Sequence, residues 1–331
     1  MRMMTMAKKT AKPDILIFGP KKPLIERGLA ERFNVHIFHH PDDLAKLSPA
    51  QAQNIRGMAI TNLVKADSAM LARFPKLEMI ASFGVGYDHV DFRYAAEHNI
   101  VVTHTPDVLT DEVADTAIGL LIATLREFIN ADRYVREGRW PKQNYRLSPG
   151  SLRDRTVGIV GMGRIGQAIA RRVAACDVPI VYHSRNPAAG VTFKHYPNLI
   201  EMATEVDTLI AITPGGASTA KMINADVLKA LGPRGVLINV ARGSVVDEDA
   251  LIAALQDGTI MAAGLDVFAH EPNVPEAFFA MDNVVLLPHI ASASVATRDA
   301  MDQLVVDNLL NWFSGKPALT PVPETPCGKG A

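Results

Sequence analysis

The chain reads as an α/β protein built of two Rossmann-like or flavodoxin-like lobes, one inserted into the other. Three observations carry that expectation. Strand-like apolar runs alternate with helical patterns along most of the chain, a glycine fingerprint appears only in mid-chain at residues 161–166, and long helical patterns flank that region at 111–137 and 295–313. A fingerprint that starts this late implies that the first lobe is begun, interrupted and completed by the C-terminal segment. The boundaries expected are 1–108 with 291–331 for the discontinuous lobe, and 109–290 for the inserted one.

In the first lobe, apolar runs at 15–18, 35–38, 58–60, 77–82 and 100–103 are separated by helical patterns such as 24–33 and 68–74. That alternation requires a parallel sheet with helical crossovers. The pattern over 111–137 predicts one long helix with Thr110 as its N-cap and acidic residues in its first turn, where the helix dipole favours them. After a loop at 140–149, strands are expected near 157 and 180, then at 208–212, 236–240, 261–265 and 284–287, and a closing helix at 295–313. The proline-rich stretch 317–326 reads as a biased tail, and residues 1–12 as a disordered lead-in.

The fingerprint is Gly161-Met162-Gly163-Arg164-Ile165-Gly166, preceded by the apolar run 157–160 and followed by an amphipathic helix. Its three glycines serve separate ends, with a tight turn at Gly161, close approach of a pyrophosphate at Gly163, and close helix-on-strand packing at Gly166. The helix N-terminus then faces the phosphates. A dinucleotide is therefore the expected ligand. The second strand ends at Ser184 and Arg185, where an acidic residue would hold an unphosphorylated ribose. A hydroxyl and a guanidinium suit a 2′-phosphate instead, which favours NADP(H). Arg185 stacking on the adenine is also compatible with this sequence, so NAD(H) stays possible.

Composition narrows the partners. With 34 basic against 35 acidic residues, no charge excess points to nucleic acid or an anionic membrane, and no apolar run spans a bilayer. A small molecule is the expected substrate. Two cysteines, Cys176 in a predicted helix and Cys327 near the end, give neither a disulfide framework nor a metal site, which fits the cytoplasm. His36, His39 and His40 lack matching carboxylate or cysteine spacing, so they read as surface histidines and no metal is expected. Trp140 is read as packing at the lobe boundary, against a partner subunit, or simply within its loop.

Three ionisable residues each follow a predicted strand: Arg242 in NVARG, Glu271 in DVFAHEP and His289 in LPHI. In a parallel sheet those strand ends share one edge, where ligands bind, so an anion binder, a carboxylate and an imidazole would converge there. A carboxylate beside an imidazole stabilises the imidazolium and keeps an acid available near neutral pH. The Arg242 fork can hold a carboxylate in two hydrogen bonds.

With GMGRIGQAIA, LINVARGSVVDEDAL, AGLDVFAHEP and LLPHIAS, the chain resembles the D-isomer-specific 2-hydroxyacid dehydrogenases over nearly its whole length, and most of all their glyoxylate/hydroxypyruvate reductases, which share the Ser-Arg pair. The resemblance implies NADPH-dependent reduction of a small 2-keto acid to the D-2-hydroxy acid. It implies His289 as the proton donor, Glu271 beside it, and Arg242 on the substrate carboxylate and carbonyl. It also implies backbone binding of that carboxylate at Val85 and Gly86, cofactor contacts at Thr213, Thr219, Val240 and Asp266, and a homodimer. The similar hydroxyphenylpyruvate reductases are the alternative, and a cofactor-sensing corepressor of the same fold is a further one. Phosphoglycerate dehydrogenase fits less well, because no regulatory domain follows residue 331. Val206 departs from the family pattern before Asp207, and Gly215 with Gly216 depart from it after Pro214, which softens the expectation for Thr219.

Overall fold

The computed structural model describes residues 12–326. Residues 1–11, most of the lead-in, and Cys327 lie outside the described residues. The chain divides into two compact units, Met1–Val108 with Val295–Ala331, and Leu109–Ser294.

The first unit contains β1 (Asp14–Phe18), α1 (Pro23–Ala30), β2 (Asn34–Phe38), α2 (Pro49–Ala52), β3 (Ile55–Thr61), α3 (Ser68–Leu71), β4 (Met79–Phe83), α4 (Phe92–Glu97) and β5 (Val101–Thr103). Its five strands are all parallel in the order β2-β1-β3-β4-β5, a doubly wound sheet whose direction of winding reverses between β1 and β3. Central strands β3 and β4 are almost wholly buried, as expected for a parallel sheet covered on both faces. The core of one face runs through Leu16, Met58, Ile60, Phe74, Ile80 and Val102.

The second unit contains α5 (Thr110–Leu125), α6 (Phe128–Arg136), β6 (Val157–Val160), α7 (Arg164–Ala174), β7 (Ile180–His183), β8 (Lys194–Tyr196), α8 (Leu199–Thr204), β9 (Thr208–Ala211), α9 (Ala225–Leu231), β10 (Val236–Asn239), α10 (Glu248–Gln256), β11 (Ala262–Leu265) and β12 (Val284–Leu286). The sheet is again fully parallel, in the order β12-β11-β10-β9-β6-β7-β8, with its switch point between β6 and β9. Strands β6, β9, β10 and β11 are buried at every residue. Helix α5 lies against β11, where a Cβ on Gly264 would press into Leu120 and Thr124. Helix α11 (Val295–Phe313) returns to the first unit and buries Met301, Val305, Val306, Leu309 and Trp312.

Three expectations are corrected, and the compositionally biased tail gains a structure. The helix predicted over 111–137 is two helices. At Glu127 the backbone turns into the left-handed region (φ 51), and its carboxylate accepts from Tyr145 Oη at 3.0 Å and from Arg146 Nη2 at 2.8 Å, which draws the residue out of helical register. Thr110 is already helical, and the cap position is Leu109, whose side chain makes no capping bond. Cys176 lies in the turn beyond α7 and is exposed. The proline-rich tail is ordered: Pro321 bridges antiparallel to Thr103, Val322 N–H donates to the Val102 carbonyl at 2.9 Å, and the Val322 side chain is fully buried. Edge strand β8 and helix α8 are additions that the apolar pattern did not predict, because β8 is a three-residue Lys-His-Tyr strand with one buried position.

Among the described residues no helix is long and apolar enough to cross a membrane. His36 Nε2 lies 2.8 Å from Asp14 Oδ1, and His39 Nδ1 lies 3.2 Å from the Gly19 carbonyl, so these imidazoles serve the β1 and β2 edge. Trp140 is 61% exposed.

Candidate active site

The fingerprint sits at the switch point of the second unit's sheet. Strand β6 ends at Val160, and Gly161 turns with φ 108, a conformation that L side chains avoid. A Cβ there would stand 2.9 Å from the Ile212 carbonyl at the end of β9. A Cβ on Gly166 would run into the Gly161 carbonyl, so only glycine lets α7 start this close to the turn. Gly163, the N-cap of α7, has open space where a side chain would stand. Met162, Arg164 and Ile165 complete the turn, with Met162 buried. The result is a glycine-walled cradle at a helix N-terminus, which fits a pyrophosphate.

At the end of β7, Ser184 Oγ donates to the Asn186 carbonyl at 2.6 Å and Arg185 is exposed. Both stand in the loop beyond β7, beside the fingerprint strand, since Gly161 N–H donates to the His183 carbonyl at 2.9 Å. Past β9, Thr219 Oγ1 donates to the Pro214 carbonyl at 2.8 Å and closes the loop that carries Gly215 and Gly216. Thr213 is half-buried, and Val240 N–H donates to the Ala211 carbonyl at 3.3 Å. Val206 packs beside Gly158 of β6.

Arg242, Glu271 and His289 follow β10, β11 and β12 on one sheet edge. His289 Nδ1 and Glu271 Oε2 are 2.6 Å apart. The other Glu271 oxygen accepts from Phe268 N–H at 3.0 Å, which fixes the carboxylate in its own loop. Burial raises the Glu271 pKa, but the bond to His289, the Phe268 N–H and the Arg242 charge outweigh it and hold the carboxyl below its ordinary value. Glu271 is thus an ionised partner that keeps a proton on Nδ1 and turns Nε2 outward. Arg242 Nη1 donates to the Ala241 carbonyl at 2.8 Å, anchoring one arm of the fork.

Support comes from residues that motif reading did not single out. Asn239, buried at the end of β10, accepts from Ala241 N–H and donates to the Arg242 carbonyl, both at 3.0 Å, so it shapes the Arg242 loop. A Cβ on Gly243 would collide with the backbone of Phe268 and Ala269, so glycine brings the Arg242 and Glu271 loops together. A polar residue ending an apolar strand and a glycine after the arginine were the available signals. Asp266, 1% exposed, holds the His289 loop in place. Its oxygens accept from Ile290 N–H at 2.7 Å and Ala291 N–H at 2.9 Å, and its carbonyl accepts from His289 N–H at 2.8 Å. Those three bonds hold His289 in the left-handed conformation (φ 55) that aims its ring. Burial pushes the Asp266 carboxyl up, against the two N–H bonds and the His289 charge.

In the first unit, β4 ends at Phe83 and the chain turns through Gly84 (φ 144) to Val85 and Gly86. The Gly84 carbonyl accepts from Thr105 N–H at 2.8 Å, and the Val85 carbonyl from His104 Nδ1 at 2.8 Å.

Residues 118–291 match the model of the D-isomer specific 2-hydroxyacid dehydrogenase, NAD binding domain. A hydroxyphenylpyruvate reductase from Plectranthus scutellarioides is 44% identical over 93% of this chain and 98% of its own length. The glyoxylate/hydroxypyruvate reductase A HPR2 from Arabidopsis thaliana is 43% identical over the same shares. Among solved structures, the NADPH-dependent glyoxylate/hydroxypyruvate reductase SmGhrB from Sinorhizobium meliloti, in complex with NADP and malonate, is 55% identical and superposes with a TM-score of 0.92, covering 97% of this chain and 100% of that one. The sheet orders, the glycine cradle and the histidine–glutamate pair stand on a chain that belongs to the D-isomer-specific 2-hydroxyacid dehydrogenase family.

Proposed function

We propose that this protein reduces a small 2-keto acid, glyoxylate or hydroxypyruvate, to the D-2-hydroxy acid with NADPH. The observation that carries the reading is the His289 and Glu271 pair, set at the same sheet edge as Arg242 and the glycine cradle. The relatives named as glyoxylate/hydroxypyruvate reductases, one of them bound to NADP, support the choice of substrate and cofactor.

In this reading the cradle at Gly161, Met162, Gly163, Arg164, Ile165 and Gly166 takes the pyrophosphate, and Ser184 and Arg185 take the 2′-phosphate by charge-assisted hydrogen bonds. Thr213, Thr219 and Val240 line the rest of the cofactor, whereas Asp266, expected there too, is 1% exposed with both carboxylate oxygens taken by backbone N–H groups and acts through the His289 loop. Bound NADPH supplies the hydride that the carbonyl carbon accepts. His289 gives the Nε2 proton to the keto oxygen, and Glu271 stays ionised beside Nδ1 as counter-ion to the imidazolium. Arg242 binds the carboxylate and the carbonyl oxygen, orienting the substrate and stabilising developing negative charge. In the first unit, the Val85–Gly86 turn offers backbone N–H groups that can bind a carboxylate without adding charge. We place the enzyme in the cytoplasm, as a homodimer formed through the exposed apolar side chains Ile129, Val135, Trp140 and Leu147 of the second unit.

The test is steady-state oxidation of NADPH and NADH with glyoxylate, hydroxypyruvate and 4-hydroxyphenylpyruvate, comparing kcat/KM for each pair. The expected result is turnover of the two small acids with a clear NADPH advantage. Preference for 4-hydroxyphenylpyruvate would move the enzyme to the activity named for its Plectranthus relative. Absence of turnover with every pair, despite NADPH binding, would overturn the reductase reading.

A further inference from the structure

The turn at Val85 and Gly86 is shaped from behind by residues outside it. A peptide unit is planar and trans, so its carbonyl and its N–H point in opposite directions. Whatever holds the Gly84 carbonyl therefore aims the Val85 N–H, and whatever holds the Val85 carbonyl aims the Gly86 N–H. Thr105 does the first with its backbone N–H at 2.8 Å, and its Oγ1 accepts from Gly84 N–H at 3.1 Å. His104 does the second with its side chain, Nδ1 donating to the Val85 carbonyl at 2.8 Å. A carbonyl only accepts, so Nδ1 carries the proton in this contact.

His104 is itself fixed by the ordered C-terminal strap. Its N–H donates to the Thr320 carbonyl at 3.2 Å, and its carbonyl accepts from Thr320 Oγ1 at 2.6 Å. Asn308 of α11, fully buried, donates to Thr320 Oγ1 at 3.0 Å and accepts from Leu319 N–H at 2.9 Å and Thr320 N–H at 3.2 Å. On the other side the Tyr87 ring meets the His104 ring edge-to-face with centroids 5.4 Å apart. Tyr87 Oη donates to the Glu324 carboxylate at 3.1 Å, and burial together with that carboxylate pushes the phenol up to about 12, so it stays a donor.

We propose that His104 is the positioning residue of the carboxylate-binding turn: locked by the Asn308, Thr320 and Tyr87 contacts, its ring holds the Val85 carbonyl and thereby aims the Gly86 N–H at the substrate carboxylate. This rests on the reading of that turn as the carboxylate site. The role belongs to Nδ1 alone, which defines the test. Asparagine carries its amide nitrogen at the same position in the side chain as Nδ1, whereas glutamine carries it one atom further out and leucine has none.

The experiment measures KM and kcat for glyoxylate, and Ki for oxamate, in wild type, H104N, H104Q, H104L and T320V, with thermal denaturation of each. H104Q and H104L should raise KM and Ki roughly tenfold, the worth of one hydrogen bond to a charged group, with kcat within about threefold. H104N should stay within about twofold, and T320V should fall between. If H104L does not fold, the contrast between H104N and H104Q, both polar, decides the question. Equal KM across the asparagine and glutamine variants, or a loss confined to kcat, would overturn the positioning role. A crystal structure of the wild-type complex with oxamate separates the two layers: a carboxylate on Val85 and Gly86 with unchanged H104Q kinetics refutes His104 alone, and a carboxylate elsewhere refutes the reading of the turn.

Discussion

Glu271 Oε2 and His289 Nδ1 are 2.6 Å apart, and the second Glu271 oxygen is occupied by Phe268 N–H, so the imidazole faces a carboxylate that has no other direction to turn. Replacing Glu271 by glutamine keeps the shape and removes the charge that stabilises imidazolium. E271Q should lower kcat for keto-acid reduction by roughly a hundredfold, in the range of general acid catalysis. A kcat/KM profile across pH 5–9 that superposes on wild type would exclude the counter-ion role.

The same pair has a signature in stability. The folded-state Glu271 carboxyl lies below its ordinary value of 4.5, because the His289 bond, the Phe268 N–H and the Arg242 charge outweigh its burial. A depressed carboxylate contributes stability that is present above the unfolded value and is lost as pH falls through the folded one. The Tm advantage of wild type over E271Q should therefore hold at pH 6 and shrink on acidification below 4.5. Scans at a series of pH values check this, and an advantage that grows toward acid would give the opposite sign and refute it.

Asp266 acts through the backbone of the His289 loop. D266A leaves the buried Ala291 N–H without its acceptor, at about 1–3 kcal/mol, and removes the partner of the part-buried Ile290 N–H. It also releases a residue held at φ 55. We expect lower Tm and a fall in kcat larger than the rise in KM. D266N keeps one acceptor and should recover part of the stability. Full activity in a folded D266A would show that the His289 geometry needs no such support.

Much of this site was readable along the chain because its signals are local. An apolar run followed by G-x-G-x-x-G needs only the ten residues 157–166 to specify a strand, a turn and the start of a helix, and Arg242, Glu271 and His289 each follow an apolar run. What stayed hidden depends on distant partners. The break at Glu127 is made by Tyr145 and Arg146, the aim of His289 by Asp266, and the hold on His104 by Thr320 and Asn308. The strap was masked for another reason: proline-rich composition signals poor strand and helix propensity, yet Pro321 and Val322 sit at a sheet edge, where a missing N–H is tolerated.

The two later fingerprint glycines should separate packing from ligand approach. Gly166 faces the Gly161 carbonyl, so G166A forces α7 away from the turn and should cost about 1–3 kcal/mol of stability as well as cofactor affinity. Gly163 has open space where an added methyl would stand, so G163A should leave Tm unchanged while weakening NADPH binding. Thermal scans with a fluorescence titration of NADPH decide it. Equal NADPH affinity in G163A and wild type would argue against close approach of the pyrophosphate at that residue.

Cofactor choice rests on the loop that ends β7, where Arg185 is exposed and Ser184 Oγ already serves the turn through the Asn186 carbonyl. Because that hydroxyl is committed in part to the turn, the guanidinium is the stronger contributor to a 2′-phosphate contact. R185A should raise KM for NADPH roughly tenfold or more and leave KM for NADH within about twofold, since a charge-assisted bond to phosphate is worth about 1.5–3 kcal/mol. S184A should show a smaller loss with NADPH and a small drop in Tm from the lost turn bond. A parallel loss with both cofactors in R185A would mean that the arginine stacks on the adenine, and the preference would then have to arise elsewhere in the loop.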